Sequence, residues 1–325
     1  MSLKIQPLVK EQILNQEEAL SSAFVQPLSF VRGLNPKSLH RNLLCTLSDK
    51  SDGGKNLCFQ VNDGSNQILI LAEYLSWDSE HFGFGMAKIH HLLFSSSTDS
   101  YFITKAVGFF VSEATRLGVD YILCSQDLRS RVEIQSLCSS NFVPIEFRTH
   151  YHRSIKDFSY SKRFNVRLAE KKDLEALIHT AVNSENPNDR FFGDPTLDRV
   201  AVKEMMQVWI NKSVTTSFAD GVLVPDMKDP KAFCTFKTHQ SHWDEWGIKV
   251  SQPILAAVSP ELKGWYIKIM SEINFYLRDL GADTVYMTTQ LGNLPVIRCW
   301  EALNFSYGGS EIVLRWTSKL PKLRV

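Results

Sequence analysis

The sequence is poor in every feature that would place it in a membrane, in an oxidising compartment or on a nucleic acid. No apolar run approaches the roughly 20 residues of a spanning helix. Residues 1–20 interrupt their apolar positions with Lys4, Lys10, Glu11, Glu17 and Glu18, unlike the unbroken apolar stretch of a secretory signal. Charge of one sign is also missing. Lys plus Arg is 36 against 35 Asp plus Glu, a formal net charge of +1, and a split at Tyr160 leaves both halves near neutral. That excludes the basic field a phosphate backbone requires. The six cysteines, Cys45, Cys58, Cys124, Cys138, Cys234 and Cys299, include no C-x-x-C pair, which argues against a disulfide framework or structural zinc. His150 and His152 share one face of an expected strand but lack further ligands, so no metal is expected. The expectation is a cytoplasmic protein with free thiols.

What is present is enough apolar residue for real cores, 44% of a chain of 325 residues. That length makes two domains the natural prior. A repeat organises it. Gly118 follows a helical pattern over 107–117, then come an apolar run over 120–125, a polar loop, a second helical pattern and Asn141-Phe142. Gly281 follows a helical pattern over 267–280, then come a run over 283–289, a polar loop, a helical pattern and Asn304-Phe305. The spacing from Gly to Asn-Phe is ungapped in both, with Leu128 matching Leu291 and Ile134 matching Ile297. Glycine suits a helix stop because it accepts the left-handed conformation. One unit of helix, strand, helix and strand used twice implies mixed α/β sheets flanked by helices.

Between the repeats, residues 152–165 are polar, without a clean period, and are expected to link them. Val166-Arg167-Leu168 then predicts a short strand. Leu174, Leu177, Ile178, Ala181 and Val182 recur at helical spacing, and a second helix is expected over 197–210. Strands are expected over 231–238 and 253–258. In the first half, 49–54 and 62–66 have loop composition.

The run Leu255-Ala256-Ala257-Val258-Ser259-Pro260-Glu261-Leu262-Lys263-Gly264 resembles the central strand and pyrophosphate loop of the GNAT family of acyl-CoA N-acyltransferases. Thr288-Thr289-Gln290-Leu291-Gly292-Asn293, with Trp300 through Phe305, is similar to the family's next strand and helix. Leu75-Ser76-Trp77-Asp78-Ser79-Glu80-His81-Phe82-Gly83 resembles a motif in the first domain of two-domain dTDP-fucosamine acetyltransferases, and the Asp189-Arg190-Phe191 loop, Trp209 and the run from Thr289 to Asn293 are similar to that group as well. The resemblance implies tandem GNAT-like folds, a degenerate first copy over 1–155 and an acetyltransferase domain over 160–325. It implies an N-acetyltransferase that moves acetyl from acetyl-CoA to a small-molecule amine, with an amino-sugar nucleotide as candidate acceptor, by direct transfer in a ternary complex.

Backbone groups of Ala256, Ala257 and Val258 would hold the pantetheine arm, and the Val258 N–H would polarise the thioester. The diphosphate would sit on the turn from Lys263 through Gly264, Trp265, Tyr266 and Ile267 to Lys268. Two small residues usual in that turn are replaced here by Tyr266 and Lys268. Asn293 is the side-chain candidate for a cofactor contact, its other role being a helix N-cap. Trp300 stands where the family often has the tyrosine that protonates the thiolate, and an indole N–H has no useful acidity. Tyr286 and Tyr307, with Tyr266 beside them, are candidates to replace it. Arg190, Phe191 and Trp243 are the acceptor-side candidates, and a homodimer is compatible with the family. A GNAT-shaped scaffold without catalysis is the first rival. A tandem-GNAT aminoacyl transferase is the second, and the neutral charge weighs against it.

Overall fold

The computed structural model describes residues 3–21, 28–52 and 55–319. The first half contains β1 (Lys4–Pro7), α1 (Lys10–Leu14), α2 (Glu17–Ser21), α3 (Pro36–Asp52), β2 (Phe59–Asn62), β3 (Gln67–Tyr74), α4 (Ser76–Phe82), β4 (Met86–Phe94), α5 (Ser100–Arg116), β5 (Tyr121–Asp127), α6 (Arg131–Ser139) and β6 (Val143–Ser154). The second contains β7 (Val166–Leu168), α7 (Leu174–Asn183), α8 (Arg199–Thr215), β8 (Gly221–Pro225), β9 (Ala232–Lys237), α9 (Trp243–Trp246), β10 (Val250–Val258), α10 (Trp265–Asp279), β11 (Thr284–Gln290), α11 (Leu294–Ala302) and β12 (Ser306–Thr317). No helix among the described residues is long and apolar enough to cross a membrane.

The repeat read from the sequence holds residue for residue. β5, α6 and β6 match β11, α11 and β12 in length, at the same distances from Gly118 and Gly281. Both glycines adopt positive φ, 82° and 98°. At each, the glycine N–H and the next residue's N–H return to carbonyls of the preceding helix, which satisfies the orphan acceptors of that helix end. Asn141 and Asn304 likewise have φ of 66° and 58°. Phe142 N–H donates to Leu137 O, and Phe305 N–H to Trp300 O. Asparagine tolerates this left-handed region better than most residues, and the phenylalanine after it is buried in both copies.

All twelve strands form one sheet in the order β1-β2-β3-β4-β5-β12-β6-β11-β10-β9-β8-β7. The order reads alike from either end because the last strand of each copy has changed sides. β12 pairs with β5 of the first copy, β6 pairs with β11 of the second, and β6 and β12 pair antiparallel at the centre. Helices follow the exchange. α8 brings Val202, Met205 and Met206 onto Met86, Tyr121 and Leu123 of the first copy, with Trp77 and Phe82 of α4 beside them. Val31, from the segment before α3, packs in turn on Trp246 of α9 and Val250 of β10. The Leu75–Gly83 motif thus builds part of the contact between the copies, its Trp77 ring stacked on His81 at 4.9 Å.

Three local expectations change. Residues 49–52 continue α3 rather than forming a loop. β6 runs on through His152 to Ser154 because β11 pairs it to that end, so the link begins at Ile155. β8, a short buried strand rich in valine, has no counterpart in the sequence reading.

A sheet whose central strands are exchanged couples the two halves. We expect a single cooperative heat-capacity peak on unfolding of the whole chain. Two separated peaks in scanning calorimetry would contradict that coupling.

Candidate functional site: a cleft between parting strands

β10 and β11 are parallel but pair only at Val250 with Thr284 and Ser251 with Val285. Beyond this they part. On its other edge β10 stays on β9, with a bulge between Pro253 and Ala256. Leu255 N–H donates to Thr235 Oγ1 and Ser259 N–H to Lys231 O, both on the β9 side. Backbone groups alternate along a strand. The N–H and C=O groups of Ala256 and Val258 therefore face the opposite edge, where β11 has left. The gap holds a cavity of about 520 Å³. Its apolar wall includes Ile254, Leu255, Met270 and Met287, and its polar end is formed by Asn186, Asp189 and Gln290.

α10 begins at the mouth of this cleft. Its N-cap is Gly264, with φ of 89°, and no side chain caps it. The first-turn N–H groups of such a helix are ready donors for an anion. Tyr266 turns into the cleft, where its hydroxyl accepts the Trp300 indole N–H at 3.0 Å. Lys268 Nζ lies over the Trp265 ring at 4.7 Å and the Phe164 ring at 5.4 Å. Lys263 is exposed. Asn293 stands at the N-cap of α11 without capping it; its Nδ2 donates to Thr289 Oγ1 at 3.1 Å on the cleft wall.

The cleft therefore brings together Ala256, Ala257, Val258, Gly264, Tyr266, Ile267, Asn293 and Trp300. It leaves out others. Tyr286 follows the last residue of β11 that pairs with β10, donates its hydroxyl to Gln252 Oε1 at 2.7 Å and lies edge-on to Phe30. Tyr307 is 59% exposed and stands on β12, which the strand exchange has separated from β11 by the width of β6. Of the three tyrosines considered, only Tyr266 lines the cleft. Burial holds its hydroxyl pKa well above the ordinary tyrosine value. Trp243 is a core residue whose N–H is shared by the carbonyls of Thr238 and Val250. Phe191 packs edge-on against Trp209, and the Arg190 guanidinium lies 4.6 Å over the Phe191 ring, outside the cavity wall.

Sequence reasoning pointed to the loop from Asp189 on the acceptor side but missed the hydrogen-bonded chain that closes the polar end of the cleft. Asp189 Oδ1 accepts the N–H groups of Phe191 and Phe192 at 2.7 and 2.8 Å, and burial raises its pKa. Asn186 donates to Gln290, Gln290 to the buried Glu146, and Arg148 ties Glu146 to Glu311. Glu146 and Arg148 belong to β6 and Glu311 to β12, so this chain exists only through the exchange. Its one sequence signal is Gln290, which lies in the run from Thr288 to Asn293.

The first copy has the matching gap. β4 and β5 pair from Met86 with Tyr121 to Ile89 with Cys124 and then part, and β4 carries its own register shift against β3. This cleft has a volume of about 320 Å³. Its chemistry differs. α5 is capped by Asp99, whose carboxylate accepts the Phe102 N–H at 3.2 Å, so a fixed anion already occupies that helix end. Past the bulge the strand carries Leu92 and Leu93, where β10 has Ala256 and Ala257. Among the described residues, no group of three His, Cys, Asp or Glu side chains could hold a metal ion.

No protein-family model matches the chain, and no curated protein matches it by sequence. Solved structures do match by shape. A tandem GNAT protein from the clavulanic acid biosynthesis pathway aligns over 98% of this chain and 99% of its own, with a TM-score of 0.55 and 12% identity. A GCN5-related N-acetyltransferase from Sphaerobacter thermophilus aligns over 97% and 95%, with a TM-score of 0.61 and 10% identity. N-myristoyltransferase of Saccharomyces cerevisiae, solved with bound myristoyl-CoA, aligns over 98% and 80%, with a TM-score of 0.50 and 12% identity. At such identities the likeness is one of fold: the chain has the architecture of a tandem GNAT protein.

Burial, with repulsion from His90, His40 and Lys88, pushes His91 in the first cleft down to about 3. Its neutral form stabilises the fold fully above the unfolded-state value of about 6.5. That contribution is lost as the pH falls from there toward 3. His91→Asn does not titrate. The stability of wild type relative to His91→Asn should therefore fall by about 1–2 kcal/mol between pH 7 and pH 5. Urea unfolding at the two pH values measures it, and an unchanged difference would rule out a neutral buried His91.

Proposed function

We propose that the chain is an acyl-CoA-dependent N-acyltransferase whose second copy holds the thioester, with acetyl as the acyl group and a small-molecule amine as acceptor. The observation that carries this reading is the contrast between the two clefts. Only the second combines outward-facing strand N–H groups with an uncapped helix end. The shape likeness to GNAT proteins supports it. An amino sugar linked to a nucleotide is the finer proposal for the acceptor, and it rests on resemblance only, of the Leu75–Gly83 motif together with the Asp189-Arg190-Phe191 loop, Trp209 and the run from Thr289 to Asn293.

The diphosphate of the thioester substrate would be received by the first-turn amides of α10 beside Gly264, and the pantetheine arm would run along Ala256 to Val258. The Val258 N–H would polarise the thioester carbonyl oxygen, a contribution of the kind worth about 10²–10³ in rate at other acyl-transfer sites. The acceptor would enter at the polar end. Its nitrogen attacks the carbonyl carbon, the C–N bond forms and the C–S bond breaks. Asp189, its pKa raised by burial, would take the amine proton. Tyr266 would give its hydroxyl proton to the departing thiolate, while the Trp300 N–H it accepts stabilises the phenolate left behind. Trp300 thus acts through the tyrosine. This division assigns the proton donor to the tyrosine that reaches the cleft, in place of Tyr286 and Tyr307.

Calorimetry with acetyl-CoA, followed by a thiol-release assay over an amine panel, tests the reading. Absence of binding at millimolar acetyl-CoA would sink it. Tyr266→Phe should lower kcat by roughly 10²-fold with KM little changed; a wild-type kcat would remove the tyrosine from this role. Gly264→Asp should place a carboxylate where the diphosphate binds and weaken acetyl-CoA at least about tenfold. Asp99→Ala, at the matching place in the first copy, should leave that affinity unchanged while costing about 1 kcal/mol of stability. Equal effects of the two on affinity would contradict the assignment of the thioester to the second copy.

A further inference from the structure

The polar end of the second cleft is acidic and has no cation. Among the described residues, Asp189 is the one carboxylate on the cavity wall, and no Lys, Arg or His lines it. Asp189 Oδ1 is taken by the Phe191 and Phe192 amides, whereas Oδ2 makes no hydrogen bond with any described residue. The neighbouring polar side chains are turned on the protein. Asn186 donates to Gln290 Oε1 at 2.8 Å and accepts the Asn188 N–H at 3.0 Å. Gln290 donates to Glu146 at 2.7 Å, Ser184 Oγ donates to Thr180 O at 2.7 Å, and Thr288 Oγ1 is bonded to His150 Nδ1 at 2.9 Å. The Arg190 guanidinium lies over the Phe191 ring, outside the cavity wall. What this end offers a ligand is a carboxylate oxygen.

The wall around it is apolar. The segment from α7 to α8 that carries Asp189 also lines the cavity with Ala181, Phe192 and Met206, and β10 adds Ile254 and Leu255. Ile254 is 52% exposed, a large apolar side chain on a cavity wall with little protein over it. Covering such surface with an apolar ligand is favourable, and a few polar groups then fix the ligand's orientation. An ammonium on Asp189 forms a charge-assisted pair. A carboxylate or phosphate at the same place would be desolvated beside a like charge, with no cation to meet it.

Resting on the acyl-transfer reading, the geometry points to an acceptor that is an apolar primary amine, alkyl or arylalkyl, with no anionic group beside its nitrogen. Asp189 holds the ammonium and then takes its proton, and the carbon skeleton lies on Ile254, Phe192 and Met206. An α-amino acid is excluded by its carboxylate. A nucleotide-linked amino sugar, which resemblance alone supports, is disfavoured on two grounds. Its hydroxyls find the polar side chains already paired, and its diphosphate finds no cation in the cavity.

The test is thiol release from acetyl-CoA by the whole chain, with phenethylamine, hexylamine, phenylalanine and UDP-glucosamine as acceptors. For phenethylamine, kcat/KM should exceed that for phenylalanine at least about 100-fold, and both simple amines should be preferred to UDP-glucosamine. Ile254→Ser should raise KM for phenethylamine about fivefold. Use of phenylalanine at a comparable rate, preference for UDP-glucosamine, or an unchanged KM in Ile254→Ser each overturns the acceptor class while leaving acyl transfer in place. Acetyl-CoA that binds but loses its acyl group to neither simple amine overturns the class as well. Failure of acetyl-CoA to bind, measured separately by calorimetry, removes the acyl-transfer reading and the acceptor with it.

Discussion

The antiparallel ladder between β6 and β12 is the constraint on which the rest of the molecule depends. Each of these strands belongs by sequence to one copy and is paired on its outer edge with a strand of the other. A sheet edge is a row of unmet donors and acceptors. The exchange meets both inner edges at once and turns two six-stranded halves into one twelve-stranded sheet. It also sets the surroundings of both clefts. The second cleft ends against Glu146 and Arg148 of the first copy through Gln290, and the first is bounded by Glu311 of the second. The hydrogen-bonded chain from Gln290 to Glu311 crosses the central strands and links the two walls.

The two clefts share a backbone plan, and a few residues give them different chemistry. In both, parallel strands part after a short paired stretch next to a register shift. Gly264 leaves a helix end without a cap, whereas Asp99 fills the corresponding one. Ala256 and Ala257 leave room along the strand where Leu92 and Leu93 fill it. Trp300 supports a tyrosine hydroxyl from a position that Leu137 occupies in the first copy. The difference in electrostatics follows: a largely apolar gap with one acidic end in the second copy, and a lysine among histidines and carboxylates in the first.

The legible parts of the sequence were those fixed by local chemistry. Gly118 and Gly281, with Asn141 and Asn304, mark backbone positions of positive φ, and such positions keep their spacing whatever packs around them. The run from Leu255 to Gly264 was legible for the same reason, as a strand, a turn and a helix start in immediate succession. The altered turn was legible as residues but not as geometry. Tyr266 points into the cleft and Lys268 is held by two aromatic rings, and the direction of a side chain depends on neighbours far along the chain. Trp243 sat in a polar, aromatic stretch that reads as a surface loop, yet its indole N–H is buried between two carbonyls. β8 escaped notice because five residues carry too little periodicity.

By itself the sequence determined the repeat, the order of its elements, the neutral charge and the cleft-forming run along β10, because caps, periodicity and composition act over a few residues. Only the tertiary structure decided which tyrosine meets the cleft and which carboxylate closes its end. The physical reason is the strand exchange. It places residues of opposite copies in one hydrogen-bonded row and moves Tyr307 one strand away from β11, and no local pattern in the chain records which edge a strand will choose.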